Sequence, residues 1–147
     1  MDTDPRPWTL TIPSDPRLLP TVRQFVAAVC QVGGLDQSTT DAIVLAIHEA
    51  AQNVIRHAHQ NVISTQFQVQ CFLRPDAVEL RLLDEGEPFD LNAVPQLDPS
   101  ELRIGGRGLF LMRALMDELT VQPRSGRGNV LRMVKRCVPQ TPQRHAV

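Results

Sequence analysis

The sequence predicts an α+β fold, a two-layer sandwich in which a mixed, mainly antiparallel sheet is covered on one face by about three helices. Two observations predict it. Segments with apolar residues at helical spacing are separate from segments in which apolar and polar residues alternate, and the alternating segments come in pairs joined by turn residues. The order is strand, helix, helix, two strands, loop, helix, two strands. At 147 residues the chain has room for one domain with a proper core and is too short for two ordinary ones.

Trp8-Thr9-Leu10-Thr11-Ile12 alternates as a strand with one buried face, and Pro13-Ser14-Asp15-Pro16 stops it. From Leu18 to Val32, Leu18, Val22, Phe25, Val26 and Val29 recur at helical spacing before Gly33-Gly34, which suits a C-cap. Arg17 and Arg23 accompany this segment, as solvated charge or as a contact surface for a partner. Asp36 to Asp41 offers several N-cap candidates for a second helix starting at Ser38 or Thr39 and reaching Ala58. Its core stripe is Ile43, Ile47, Ala50, Ala51, Val54 and Ala58, with Glu49, Asn53 and His57 along the edge, where a pocket wall would be. Gln60-Asn61 reads as a turn. Ile63 to Leu73 and Ala77 to Asp84 alternate around Arg74-Pro75-Asp76, as an antiparallel hairpin. Leu91 to Ile104 reads as a loop, and a loop of that length in a compact domain is more often functional than idle. Gly105-Gly106-Arg107-Gly108 leads into a helix from Leu109 to Leu119, and a final hairpin joins Leu119–Gln122 to Val130–Lys135. Residues 1–7 are expected to be a flexible lead, 8–137 the domain, and 138–147 a polar, disordered tail.

Apolar residues make up 42% and charged residues 21%, with a net charge of -1, so no global electrostatic partner such as nucleic acid or acidic lipid is implied. Cys30, Cys71 and Cys137 are scattered and odd in number, which suggests reduced thiols in a cytoplasmic protein and neither a disulfide framework nor a zinc site. The acidic, Pro-containing N-terminus is unlike a secretory signal, and no run reaches the ~18 apolar residues of a membrane span.

Glu49 and Asn53 stand four apart and share a helix face. One can take a proton; the other's amide oxygen can hold a hard metal ion. Gly105 to Gly108, at a helix N-terminus, suits anions, because free backbone N–H groups and the positive dipole end converge there.

Read together, three stretches resemble the ATP-binding superfamily of gyrase, MutL and sensor histidine kinases, and within it the small anti-sigma factor serine kinases of bacteria. Glu49-Ala-Ala-Gln-Asn53 is similar to the family's N-box, Asp84-Glu-Gly86-Glu-Pro-Phe89 to its first glycine box, and Gly105-Gly-Arg-Gly108-Leu109-Phe110-Leu-Met to its second. Gly126-Arg-Gly128-Asn129 onward resembles the closing strand pair. The resemblance implies Glu49 as general base, Asn53 as magnesium ligand, Asp84 as acceptor for the adenine amine, and Gly86, Phe89, Gly105, Gly106, Arg107, Gly108, Leu109 and Phe110 around the nucleotide. His57 is either a phosphate contact or a structural cap. Arg103 and Arg107 are either lid contacts to the γ-phosphate or surface charge. Asn129 stands where the family usually has Thr, which puts that contact in doubt.

The function implied is an ATP- and Mg²⁺-dependent serine/threonine-protein kinase that sequesters a sigma factor and phosphorylates an anti-anti-sigma protein of the STAS type. A cytoplasmic homodimer is implied, without direct nucleic-acid or membrane binding. Two alternatives stand beside it: a nucleotide-gated binding protein without kinase activity, and a phosphotransfer component working with a separate histidine protein. No phospho-accepting histidine segment precedes the domain, so a complete sensor histidine kinase is not expected.

Overall fold

Alternation at period two becomes a sheet, and the periodic apolar stripes become its cover. The computed structural model describes residues 6–60, 62–86 and 107–137. In chain order the elements are β1 (Trp8–Pro13), α1 (Leu19–Val32), α2 (Gln37–Asn53), β2 (Gln66–Leu73), β3 (Ala77–Leu83), α3 (Arg107–Leu115), β4 (Glu118–Pro123) and β5 (Asn129–Arg136). A 3₁₀ turn at Pro16–Leu18 precedes α1, and a π-helical turn, Val54–Ala58, continues α2. The sheet runs β1-β2-β3-β5-β4. The sequence allows a mixed sheet; every pairing among the described strands is antiparallel.

One face of the sheet carries the core. Val69 and Cys71 of β2, Leu80 and Leu82 of β3 and Met133 of β5 are buried, as are Val22, Val26 and Cys30 of α1 and Ile43, Ile47 and Ala51 of α2. Cys30 and Cys71 are free, and burial pushes their thiols up to about 11 and about 12, so neither is a nucleophile at neutral pH. Among the described residues no helix is long and apolar enough to cross a membrane.

Several boundaries differ from expectation, α3 for one starting at Arg107 and not Leu109, and four of them have a clear local reason. α2 begins at Gln37 because Asp36 is its N-cap, accepting the Thr39 N–H at 2.7 Å. That bond is also the main cause holding the Asp36 carboxyl below its usual range. The α-helical ladder of α2 ends at Asn53, and beyond it the N–H of His59 reaches back five residues to Val54 O, at 2.8 Å. β2 begins at Gln66, not Ile63, because Thr65 folds back: its N–H and its hydroxyl both donate to Val62 O. α3 stops at Leu115, where Lys135 Nζ donates to the Leu115 carbonyl at 2.8 Å, and Leu119 instead pairs with Met133 in the sheet. The expected loop Leu91–Ile104 with Arg103, the Asn61 turn position, most of the lead and the tail lie outside the described residues.

The sheet face away from the helices is organised around Glu79, which is only 2% exposed. Arg81 binds its Oε2 at 2.6 Å, Arg132 Nε donates to its Oε1 at 3.0 Å, and Arg74 stands 3.6 Å from Oε1. Arg81 and Arg74 also lie over the Phe72 ring, at 4.3 and 5.4 Å. Removing the carboxylate leaves three guanidinium groups together, although their partial exposure lets water take over part of the charge. Glu79→Ala is therefore expected to lower stability by about 2 kcal/mol in denaturant unfolding, with the denaturant m-value unchanged.

Candidate functional site

α2 and α3 pack against each other, and the first turn of α3 meets the polar edge of α2. Gly108 makes the approach possible. A Cβ at Gly108 would stand 3.0 Å from Glu49 Oε2 and 3.1 Å from Asn53 Nδ2. Glycine thus lets a helix N-terminus, with N–H groups that the helix itself does not pair and a positive dipole end, lie beside a carboxylate and a carboxamide. Leu109 and Met112 are buried and fix α3 to the core, while Phe110 is half-buried. Arg107 is the first residue of α3.

The second cluster forms at the end of β3. Oδ1 of Asp84 accepts the Gly86 N–H at 2.8 Å, the Asn129 Nδ2–H at 3.1 Å and the Asn129 N–H at 3.2 Å. Asp84 is only 6% exposed, and these donors offset the cost of burying its charge. Asn129, where the resemblance leads one to expect Thr, places a side-chain donor on Asp84. The Asp84 N–H donates to Asn129 O at 3.0 Å, which carries the β3–β5 ladder one residue past its last strand pair.

Two glycines bring the walls of this turn together. A Cβ at Gly86 would come within 2.5 Å of the Ala58 Cβ and carbonyl oxygen, so the turn after β3 rests directly on the π-helical turn after α2. At Gly128, where φ is +117°, a Cβ would overlap the Asp84 carbonyl oxygen. Arg124, in the β4–β5 connection, donates from Nη1 to that same carbonyl at 2.9 Å.

The fold therefore brings Glu49, Asn53 and Gly108 together, and separately Asp84, Gly86 and Asn129, with the π-helical turn spanning the distance between Asn53 and Ala58. His57, on that turn, is exposed. Phe89, Gly105 and Gly106 lie outside the described residues. Arg17 is engaged by Asp15 at 2.6 Å on the surface, and Arg23 Nη1 donates to His48 Nδ1 at 3.0 Å, tying α1 to α2 beside Glu49. Burial first, then the Arg23 charge, holds His48 below the ordinary histidine range.

Three residues at the site were not singled out from the sequence for the contacts they make: His59, Arg124 and Gly128. His59 is 5% exposed and accepts the Glu85 N–H at Nε2, at 3.0 Å. Its burial follows from the π-helical turn, which no apolar spacing in Val54-Ile55-Arg56-His57-Ala58 announces. The Gly126-Arg-Gly128 stretch did carry a turn signal.

Chemically, the first cluster offers a proton acceptor, an amide oxygen and an anion-seeking helix end. The second offers a buried carboxylate held by neutral donors. Among the described residues no group of three or more His, Cys, Asp or Glu side chains could hold a metal ion. The Glu49 carboxylate and Asn53 carboxamide beside Gly108 would suit a hard ion that keeps most of its waters, as magnesium does.

Residues 12–135 match the histidine kinase-like ATPase domain family. The chain is 30% identical to the serine-protein kinase RsbW of Bacillus velezensis over 125 residues, covering 80% of this chain and 78% of the relative. It is 29% identical to RsbW of Bacillus subtilis and 27% identical to that of Oceanobacillus iheyensis, with similar coverage. Among solved structures, the RsbU and RsbW domains of the Mycobacterium tuberculosis protein Rv1364c share the fold, with a TM-score of 0.61 at 18% identity over 90% of this chain. The histidine kinase domain of the Erythrobacter litoralis blue-light activated histidine kinase gives 0.53 at 19% identity over 87% of this chain. The chain spans about a third (32%) of the first of those solved chains and 61% of the second. With an ATPase-family match over nearly its whole length and an RsbW relative at this identity, the chain belongs to the histidine kinase-like ATPase domain family, in its RsbW serine-protein kinase branch.

Proposed function

We propose that this protein is an ATP-dependent serine-protein kinase that acts as an anti-sigma factor, sequestering a sigma factor and phosphorylating a serine or threonine of its anti-anti-sigma antagonist. The observation that carries the proposal is the convergence of Glu49, Asn53 and the Gly108 end of α3. Phosphoryl transfer asks for an acceptor hydroxyl in line, removal of its proton, and stabilisation of charge on the phosphate oxygens. Glu49 takes the proton of the acceptor hydroxyl, and the hydroxyl oxygen bonds to the γ-phosphorus as the bond from that phosphorus to the β–γ bridging oxygen breaks, ADP leaving with that oxygen. Backbone N–H groups at the start of α3 hold phosphate oxygens, and the family resemblance assigns Gly105, Gly106 and Arg107 to the same task. Asn53 would hold Mg²⁺, which when bound neutralises phosphate charge. At the other end Asp84 receives the adenine amine, and the family resemblance assigns Gly86, Phe89, Leu109, Phe110 and Asn129 to the nucleotide as well. His57, exposed on the turn after α2, is assigned to the phosphates, and Arg17 and Arg23 are assigned to a partner surface. The domain is assigned to residues 8–137, acting in the cytoplasm as a homodimer without nucleic acid.

The test is incubation of the full chain with γ-labelled ATP, Mg²⁺ and an anti-anti-sigma protein from the same organism. Acid-stable phosphoserine or phosphothreonine on the antagonist is expected. Label appearing only as acid-labile phosphohistidine, or no transfer at all, would overturn the kinase assignment.

A further inference from the structure

One peptide plane of the pocket, between Asp84 and Glu85, is held at both of its ends. Its carbonyl oxygen, Asp84 O, accepts from Arg124 Nη1 at 2.9 Å and from the Asn129 N–H at 3.3 Å. Its amide, Glu85 N–H, donates to His59 Nε2 at 3.0 Å. The next amide, Gly86 N–H, donates to Asp84 Oδ1. A rotation of this plane would break bonds on both sides and displace the following Gly86 amide, one of the donors that hold the Asp84 carboxylate.

The ring that receives the Glu85 amide is itself pinned. His59 Nδ1 lies 2.5 Å from Ser14 Oγ, and Ser14 is fully buried, with its own N–H donating to Thr65 O at 2.8 Å. Because Nε2 accepts a backbone N–H, the neutral ring carries its proton on Nδ1 and donates it to the serine oxygen. A continuous chain of bonds thus runs from the end of β1, through the imidazole, to the turn that bears Asp84. The π-helical turn is what places the ring there, since its i→i+5 bond closes on His59.

We infer that His59 is a positioning residue of the nucleotide pocket, a neutral imidazole set between Ser14 Oγ and the Glu85 amide that fixes where the Asp84 carboxylate stands. Ser14 acts through it by accepting the Nδ1 proton and so holding the ring in place. Without the serine oxygen the buried Nδ1–H has lost that acceptor, and the ring is no longer anchored beside the Glu85 amide. The inference rests on Asp84 being the adenine end of the pocket.

The test is calorimetric titration of the full chain with ADP and Mg²⁺, with the melting temperature measured in parallel, for wild type, His59→Phe, His59→Gln, Ser14→Ala and Asp84→Asn. His59→Phe fills the space without an acceptor, whereas the Gln oxygen reaches the position of Nε2. Affinity is expected to fall about 3- to 10-fold in His59→Phe and in Ser14→Ala, the effect of one lost buried hydrogen bond, and to stay within about twofold of wild type in His59→Gln. A role in folding alone would lower the melting temperature without separating Gln from Phe in affinity. If Asp84→Asn weakens binding while His59→Phe and Ser14→Ala bind as wild type, or if His59→Gln is as weak as His59→Phe, the inference is overturned. Should His59→Phe fail to fold, Ser14→Ala decides, weakened binding supporting the inference and unchanged affinity overturning it. If Asp84→Asn binds as wild type, the adenine assignment itself fails, and the role of His59 falls with it.

Discussion

Glu49→Gln is expected to lower phosphoryl transfer by about 10²–10⁴-fold, the usual contribution of a positioned general base, while nucleotide affinity changes less than about threefold. The split follows from geometry. Gln keeps the size of Glu and can remain beside Gly108, where a Cβ would come within 3.0 Å of Glu49 Oε2, so the approach of α3 to α2 is preserved. What is lost is the acceptor for the hydroxyl proton. Single-turnover transfer to the antagonist measures the first quantity and calorimetry with ADP the second. Equal transfer by Glu49→Gln and wild type would remove Glu49 from the chemistry.

Asp84→Asn is expected to weaken nucleotide binding by at least tenfold, and by about 100-fold if the full cost of ~2–3 kcal/mol for a lost charged acceptor is felt. The substitution is selective for a structural reason. Oδ1 of Asp84 takes all three donors from Gly86 and Asn129, and the amide oxygen of Asn can take the same three. The other position then changes from an acceptor to an N–H₂ donor, which opposes the adenine amine. Loss of affinity with a melting temperature close to wild type is the expected pair of results; unchanged affinity contradicts the assignment.

The parts of this site that depend on residue type and spacing were legible in the sequence. Glu49 and Asn53 share a face because they are one helical turn apart, and Gly108 stands at the start of a helix whose apolar residues repeat at the right spacing. The strand pairs were legible for the same reason, since alternation fixes which side chains face the helices. What was not legible depended on backbone hydrogen bonds that no spacing announces. The turn Val62–Thr65, closed by the Thr65 hydroxyl, delayed the start of β2. The π-helical turn brought His59 inward, although the segment reads as a continuing helix. Lys135, which lies within a strand by pattern, ends α3 by reaching Leu115 across the core face of the sheet. Glu79 reads as the polar residue of an alternating strand, and only the meeting of Arg74, Arg81 and Arg132 around it accounts for its burial.

Discrimination between ATP and GTP by the wild-type chain, titrated separately with Mg²⁺ present, tests the central claim most directly. On the proposed reading, the Asp84 carboxylate accepts from the adenine amine and would repel the carbonyl oxygen that guanine presents at the same position. ATP is therefore expected to bind at least tenfold more tightly than GTP, a difference of about 1.4 kcal/mol or more. Equal affinity for the two, or binding of neither, would contradict it.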